Sequence, residues 1–362
     1  MALGERPTCA TAGHAANTSP GILMPPMDTL RVAVVGATGY GGAELVRLLA
    51  NHPCAQATVV TSERLAGTPL QKECPWLSTD LVLQTFIPGD LDVDFVFLAQ
   101  EAGFAMKHVP TLLNRSKVID LSADFRLEDK DLYARTYKRP WESPGLSEKP
   151  AYGLSEIGLR NEIAASRLVA NPGCHATNAI LGIAPLTMGR RLNGIPIVDS
   201  KSGVSGAGRS RQETDYLFSE LSGSFKAYAV TGHRHIPEIE QWLDTKIRFT
   251  PHLIPASRGI YTTIHAPVKP EVTSEDLAAL YRSAYQGLPF VRIVDTVPST
   301  KQVLGSNRVD IHVEYDEHTH FAVISVVQDN LVKGAAGQAI QNMNLMAGLP
   351  EEMGLPIDGI WP

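Results

Sequence analysis

Short apolar runs and helical periodicity alternate along the first half of the chain. Arg31-Val32-Ala33-Val34-Val35 is a β-branched run that stops at the glycine-rich segment Gly36-Ala37-Thr38-Gly39-Tyr40-Gly41-Gly42. Leu45, Leu48 and Leu49 then recur at helical spacing until Asn51-His52-Pro53 closes the helix. Further strands are predicted at Thr58–Thr61, Asp94–Leu98 and Lys117–Leu121, separated by helical or long connections. Strands joined in that way form right-handed βαβ units, so the first half is expected to hold a parallel sheet.

After about Cys174 the pattern changes. Gly259–Ala266 and Val309–Tyr315 alternate with period two, and a third run, Phe321–Val327, follows the polar stretch Asp316–His320. Such alternation marks a sheet with one wet face, so the second half is expected to be α+β with a mixed or antiparallel sheet. The last helical segment, Ala335–Ala347, carries small residues on one side, as close packing against a sheet or a cofactor requires. The stretch up to about Met27 is rich in Pro and Gly, with neither a basic start nor an apolar h-region, and is expected to be a floppy extension rather than a signal peptide.

Composition narrows the class without naming a function. The 362 residues leave room for roughly two domains, and 44% apolar against 19% charged residues is an ordinary globular balance. A net charge of −6 gives no electrostatic reason to expect nucleic acid as a partner. No apolar run approaches the ~18 residues needed to span a membrane. The cysteines at Cys9, Cys54, Cys74 and Cys174 form no C-x-x-C pair, which is cytoplasmic usage and makes each one worth weighing as a nucleophile.

The turn Gly36-x-x-Gly39-x-x-Gly42 stands directly after a strand and opens a helix, the place of a dinucleotide fingerprint. Glycines there allow the tight turn and the approach of backbone N–H groups to a pyrophosphate at the helix N-terminus. Beyond the second strand, Ser62 and Arg64 suit a ribose 2′-phosphate and therefore NADP, whereas Glu63 suits a free 2′-hydroxyl and NAD; NADP is preferred.

Asn171-Pro172-Gly173-Cys174 is the sharpest local signal. Pro and Gly turn the chain, Cys174 falls at a helix start, and Ile180, Ile183, Ala184 and Leu186 supply the apolar face behind it. Helix N-terminal N–H groups stabilise a thiolate and an oxyanion at an attached carbonyl, so Cys174 is expected to be a nucleophile. Cys54 and Cys74, each beside a proline, are expected to be structural. Thr231-Gly232-His233-Arg234-His235 offers the proton acceptor; in an extended segment His233 and His235 share a side while Arg234 faces away. A metal site there lacks a third ligand, so no metal is expected. His312, His318 and His320 are expected at the surface. Lys201–Arg211 is a glycine-serine loop ending in arginines and suits a phosphate or carboxylate. Arg126, in the segment after the fourth strand, either faces a ligand or pairs with Asp124.

Together these segments resemble the N-acetyl-gamma-glutamyl-phosphate reductase family. The resemblance runs from about Arg31 to the C-terminus. It is carried by the glycine turn, Asp120-Leu-Ser-Ala-Asp-Phe-Arg126, Tyr152-Gly-Leu-Ser-Glu156, Asn171-Pro-Gly-Cys174, Ser202-Gly-Val-Ser-Gly-Ala-Gly-Arg209, Gly232-His-Arg-His235, Pro251-His-Leu-Ile-Pro255 with Arg258-Gly259, and Asp329-Asn-Leu-Val-Lys-Gly-Ala-Ala-Gly337. Where the family has a Leu-Pro-His-Gly type segment bordering the cofactor, this chain reads Leu98-Ala-Gln-Glu-Ala-Gly103.

The resemblance implies an architecture like that of the aspartate-semialdehyde and glyceraldehyde-3-phosphate dehydrogenases. A Rossmann-type NADP-binding domain (28–173 plus 331–362) would carry an inserted catalytic and oligomerisation domain (174–330). It implies NADPH-dependent reduction of N-acetyl-glutamyl 5-phosphate to the 5-semialdehyde, in arginine biosynthesis, through a thioester on Cys174, with His233 or His235 exchanging the proton. Thr38, Tyr40, Gly41, Ser205, Gly206, Asn330 and Lys333 would serve the cofactor with the glycines, Ser62 and Arg64. Arg126, Asn171, Ser202, Arg209 and Arg258 would serve the substrate. The protein is then expected to be a cytoplasmic homodimer or homotetramer acting on a small molecule, with no membrane or nucleic-acid partner. The rivals are the same chemistry on a protected aminoadipyl phosphate or on aspartyl phosphate, and a non-catalytic NADP sensor on the same fold.

Overall fold

The computed structural model describes residues 28–211 and 213–361. The expectation of a floppy extension up to Met27, and Cys9 with it, lies outside the described residues. Two seven-stranded sheets organise the rest. The first contains β1 (Leu30–Val35), β2 (Ala55–Thr61), β3 (Leu83–Gln84), β4 (Phe95–Leu98), β5 (Lys117–Asp120), β6 (Ala151–Tyr152) and β7 (Leu168–Ala170), in the order β3-β2-β1-β4-β5-β7-β6. Every pairing within it is parallel.

β1 has no polar alternation because both of its faces are covered. Val32 and Val34 join Leu45, Leu48 and Leu49 of the first helix (Tyr40–Leu49), while Ala33 and Val35 join Val96, Leu98, Val109 and Leu112 on the opposite face. The first layer also receives the chain's last helix, Gly337–Ala347, through Ala339, Ile340 and Met343. That helix begins two residues later than its periodicity predicts, because Val332–Ala336 is wound as a π-turn.

The second sheet holds β8 (Ile197–Ser202), β9 (Lys226–Ala227), β10 (Arg248–Leu253), β11 (Ile260–Pro267), β12 (Val291–Ile293), β13 (Val309–Asp316) and β14 (Phe321–Gln328), in the order β12-β13-β14-β11-β8-β10-β9. It is mixed. The alternating runs pair antiparallel, β11 with β14 and β14 with β13, but β8 and β10 run parallel. The 45 residues between those two parallel strands, 203–247, form a crossover that contains both the glycine-serine loop and the His233-Arg234-His235 segment.

Helix Cys174–Met188 lies across this sheet, burying Ile180, Ile183 and Leu186 against Val198, Ile264 and Val326. Gly182 sets the depth of that seat, since a Cβ there would stand 2.3 Å from Ile264 Cδ1. The helix is thus fixed on the second sheet while its N-terminus emerges from β7 of the first. The junction of the two sheets falls at Cys174.

Candidate active site

At the C-terminal end of β7, Asn171-Pro172-Gly173 leads straight into the helix that Cys174 opens. Gly173 is the N-cap with extended backbone and no side-chain cap, so the first N–H groups of the helix stay open to a ligand. A carbonyl-facing amide, Gln328 Nε2 at the end of β14, donates to Cys174 O at 2.6 Å. From the π-turn, Gly334 approaches so closely that a Cβ on it would stand 2.9 Å from Cys174 Cβ. Gly334, just before the last helix, is therefore needed against the cysteine itself. Burial raises the Cys174 pKa above its ordinary value, and Arg126 and the backbone N–H of His175 oppose that rise.

The two imidazoles meet beside this turn, though not in the extended segment expected. His233 precedes a turn and His235 is the N-cap of helix Ile236–Leu243, with helical φ/ψ of −85° and −9°. Both rings are buried, with centroids 4.8 Å apart, while Arg234 is exposed. His235 faces the cysteine turn: a Cβ on Gly173 would stand 2.6 Å from His235 Nε2 and 2.9 Å from Arg126 Nη1, so only glycine leaves the ring room. His233 Nδ1 accepts the backbone N–H of His235 at 3.2 Å, which places the neutral ring's proton on Nε2. Among the described residues, His235 Nδ1 is buried without a hydrogen-bond partner. Burial and Arg234 push His233 down to about 4, and burial, His233 and Arg126 push His235 well below the ordinary histidine value. The resting pair is a thiol beside neutral imidazoles.

Arg126 pairs not with Asp124 but with Glu238, whose Oε2 lies 3.5 Å from Nη1. Its Nε and Nη2 donate to Asn171 O and Leu121 O, each at 2.8 Å. Asp124 instead accepts the backbone N–H groups of Gly103 and Met106 and the Tyr133 hydroxyl, anchoring the loop after β4. Glu238 and Gln328 carried no signal in the sequence. Nor does the sequence single out His175, which bonds Ser200 Oγ at 2.7 Å and faces the Tyr228 hydroxyl at 3.3 Å.

The dinucleotide residues gather at the crevice between β1 and β4, where the strand order reverses, which is the ligand-binding position of open parallel sheets. Gly36 has φ +88°, and a Cβ on it would stand 2.4 Å from Ala99 O and 3.0 Å from Gln100 Nε2. Gly42 packs as tightly on the turn, 2.2 Å from Gly36 O by the same measure. The first helix has Gly39 as N-cap and no side-chain cap, leaving its N–H groups for a pyrophosphate. Thr38, Tyr40 and Gly41 belong to the same turn, and Ser62 and Arg64 follow β2 at the ribose position, Arg64 exposed. These residues fit a dinucleotide. Gln100, from the loop after β4, lies against the turn.

Across a cleft of about 340 Å³, lined by Tyr40, Trp76, Ser205 and Arg258 among others, the glycine-serine loop faces this turn. Ser205 Oγ accepts from Asn330 Nδ2 at 2.9 Å, and Gly206 lies beside Ser202 Oγ, so one corner runs from buried Ser202 and Asn330 out to half-buried Ser205 and exposed Gly206. Other expectations change. Arg209 reaches back to Thr38 O and Glu73 O, at 3.0 and 3.2 Å, and so lies at the glycine turn and not at the cysteine. Arg258 bridges Glu44 of the first helix and Asp329, at 2.8 and 3.2 Å, as a strut between the two sheets. Burial pushes the Glu44 carboxyl up, but Arg258 and Arg47 overcome it and hold the group below its ordinary value. Lys333 is fully buried with its ammonium on Glu156 and Gln341, not turned to the cofactor crevice. Asn171 gives its side chain to Ala335 O and Asn342, so it fastens the last helix to the cysteine turn. His318 and His320 are exposed, but His312 is buried and bonded to Val294 O and Glu314. Cys54 and Cys74 are buried.

Two family models match this chain: the NAD binding domain of semialdehyde dehydrogenase over residues 31–166 and its dimerisation domain over 174–330. The fold resembles aspartate semialdehyde dehydrogenase II of Vibrio cholerae complexed with ASA, at TM-score 0.66 and 17% identity, covering 89% of this chain and 99% of that one. It likewise resembles aspartate semialdehyde dehydrogenase with NADP from Candida albicans, at TM-score 0.63 and 16% identity, with 88% and 99% covered. The N-acetyl-gamma-glutamyl-phosphate reductase of Geobacter sp. (strain M21) is 47% identical over 92% of this chain and 100% of its own length. That of Thermus thermophilus is 43% identical over 91% and 100%. With this identity over more than nine-tenths of its length, the chain belongs to the N-acetyl-gamma-glutamyl-phosphate reductase family.

Proposed function

We propose that this protein reduces N-acetyl-glutamyl 5-phosphate to N-acetyl-glutamate 5-semialdehyde with NADPH, in arginine biosynthesis, using Cys174 as nucleophile and His235 as its proton acceptor. The observation that carries the reading is the convergence of Cys174, at an uncapped helix N-terminus, with the His235 ring against Gly173. The family membership supplies the substrate class, and the division into a cofactor unit (28–173 plus 331–362) and a catalytic, oligomerising unit (174–330) follows from the same reading.

Cys174 Sγ attacks the acyl carbon as its proton passes to His235, and the acyl–oxygen bond breaks with its electron pair leaving on phosphate. The open N–H groups at the helix start hold the carbonyl oxygen as it takes on charge. The Gly36–Gly42 turn, with Ser62 and Arg64 at the 2′-phosphate, would hold NADPH, and the chemistry that group would supply is the hydride needed at the thioester carbon. The resulting alkoxide re-forms a carbonyl, expels Cys174 sulfur, and the thiolate recovers its proton from His235. His233, with its proton fixed on Nε2, is a donor to substrate and not a base. Arg126 lends positive charge beside the sulfur. Ser205 lines the cleft that faces the cofactor turn, Asn330 Nδ2 donates to its hydroxyl, and Ser202 lies beside Gly206 of the same loop. The enzyme acts in the cytoplasm as a homodimer or homotetramer; among the described residues no helix is long and apolar enough to cross a membrane.

The test runs the reaction backwards. N-acetyl-glutamate semialdehyde, NADP and phosphate should yield NADPH only when all three are present, with aspartate semialdehyde and protected aminoadipate semialdehyde giving kcat/KM values lower by roughly 100-fold or more. Equal or better turnover of either rival aldehyde would move the substrate assignment, and tight NADP binding without turnover of any would favour the sensor reading.

A further inference from the structure

Glu238 is fully buried at the third residue of helix Ile236–Leu243. One oxygen, Oε1, accepts both the Gly173 backbone N–H and the Tyr152 hydroxyl, each at 2.8 Å. The other, Oε2, makes no hydrogen bond among the described residues and faces Arg126 Nη1 at 3.5 Å. Arg126 is clamped on its remaining sides by Asn171 O and Leu121 O. A single carboxylate therefore joins the cysteine turn, the segment after β5 and the helix that His235 caps.

Packing alone does not call for this group. Burying a carboxylate is costly, and a glutamine would accept the same two hydrogen bonds through its carbonyl oxygen. What a glutamine lacks is the negative charge toward Arg126. We propose that Glu238 is a positioning residue of the reaction: it sets the Cys174 turn through the Gly173 N–H and holds and partly neutralises the Arg126 guanidinium beside the thiol. The proposal rests on the reading of Cys174 as nucleophile.

The charged and titratable groups facing Cys174 are Arg126, Arg234, Glu238, Tyr228 and His235, whose ring lies against Gly173 and is pushed well below the ordinary histidine value; those facing Glu238 are Arg126, Tyr152, Tyr137 and Cys174. Within this set Arg126 favours the thiolate and Glu238 opposes it. Removing the Glu238 charge while keeping its shape should therefore make the thiol more acidic. General damage to the fold has no reason to produce that sign.

The experiment follows iodoacetamide alkylation of Cys174 against pH in the full-length protein, mapped to the Cys174 peptide by mass spectrometry. Glu238→Gln should move the midpoint toward acid by about one pH unit, the scale of a close charge, while kcat falls roughly tenfold through the loosened Arg126. Glu238→Asp keeps the charge but withdraws from Gly173, and should leave the midpoint near that of the wild type while kcat again falls about tenfold. A Glu238→Gln midpoint that stays put or moves alkaline overturns the proposal. Should that variant not fold, a Glu238→Asp enzyme with unchanged kcat overturns it equally. Alkylation needs no turnover, so this failure is distinguishable from failure of the reaction assignment, which Cys174→Ser reads.

Discussion

Cys174→Ser is expected to lower turnover by a factor on the order of 10⁴ or more, about 5.5 kcal/mol of transition-state stabilisation, the scale reached when a covalent nucleophile is removed. Sulfur is needed twice: it attacks the acyl phosphate, and as a good leaving group it departs when the carbonyl re-forms. A serine oxygen beside neutral imidazoles meets neither need, because an alkoxide is far harder to generate and an ester yields hydride acceptance poorly. The substitution fills the same space at a helix start that Gly173, Gln328 and Gly334 hold from three sides. Cofactor binding and thermal melting should therefore match the wild type. Assay of kcat with the semialdehyde, beside NADPH titration by fluorescence, separates the two effects. Near-normal turnover would leave no place for a thioester.

The second large effect divides the histidines. His235→Asn is expected to reduce kcat by about 10³-fold, within the usual range for loss of a general base, whereas His233→Asn should cost about tenfold and act mainly on KM. The difference comes from one backbone hydrogen bond: His233 Nδ1 already accepts from His235 N–H, so His233 has no lone pair to spare. The His235 ring keeps one and lies against Gly173. A pH consequence follows. His233 is pushed down to about 4 and His235 lower still than its ordinary value, so on acidification neither gains charge until well below the ordinary histidine range. Cys174 is raised above its ordinary 9.0, so its ionisation lies on the alkaline side. Alkylation of the resting enzyme should therefore rise in a single step above pH 9 with no histidine inflection between pH 5 and 8, and a plateau across neutral pH would show a preformed thiolate–imidazolium pair instead.

What the sequence disclosed was local. Gly36–Gly42 and Asn171–Cys174 each state their role within a few residues, since a turn before a helix is set by its own glycines and prolines. Cations were found as types but not as partners. Arg258 was visible as a guanidinium near a glycine, yet its direction depends on Glu44, 214 residues away, and that of Lys333 on Glu156, 177 away. Glu238 carries no signal because it stands two residues before Glu240 on a short amphipathic helix, and nothing local tells the buried carboxylate from the partly exposed one. The parallel β8–β10 pair escaped notice because its crossover is loop rather than clean helix, so the periodicity that marks a βαβ unit is absent. His233 and His235 share a side as expected, but through a turn and a helix cap instead of a strand.

The central claim is an acyl-enzyme on Cys174. Freshly generated N-acetyl-glutamyl 5-phosphate, mixed with the protein without NADPH, should add one N-acetylglutamyl group to the intact mass and release one equivalent of phosphate. The adduct should map to the Cys174 peptide and disappear when NADPH is supplied, yielding the semialdehyde. Full turnover with no adduct on that peptide, or an adduct that NADPH does not discharge, would contradict the account.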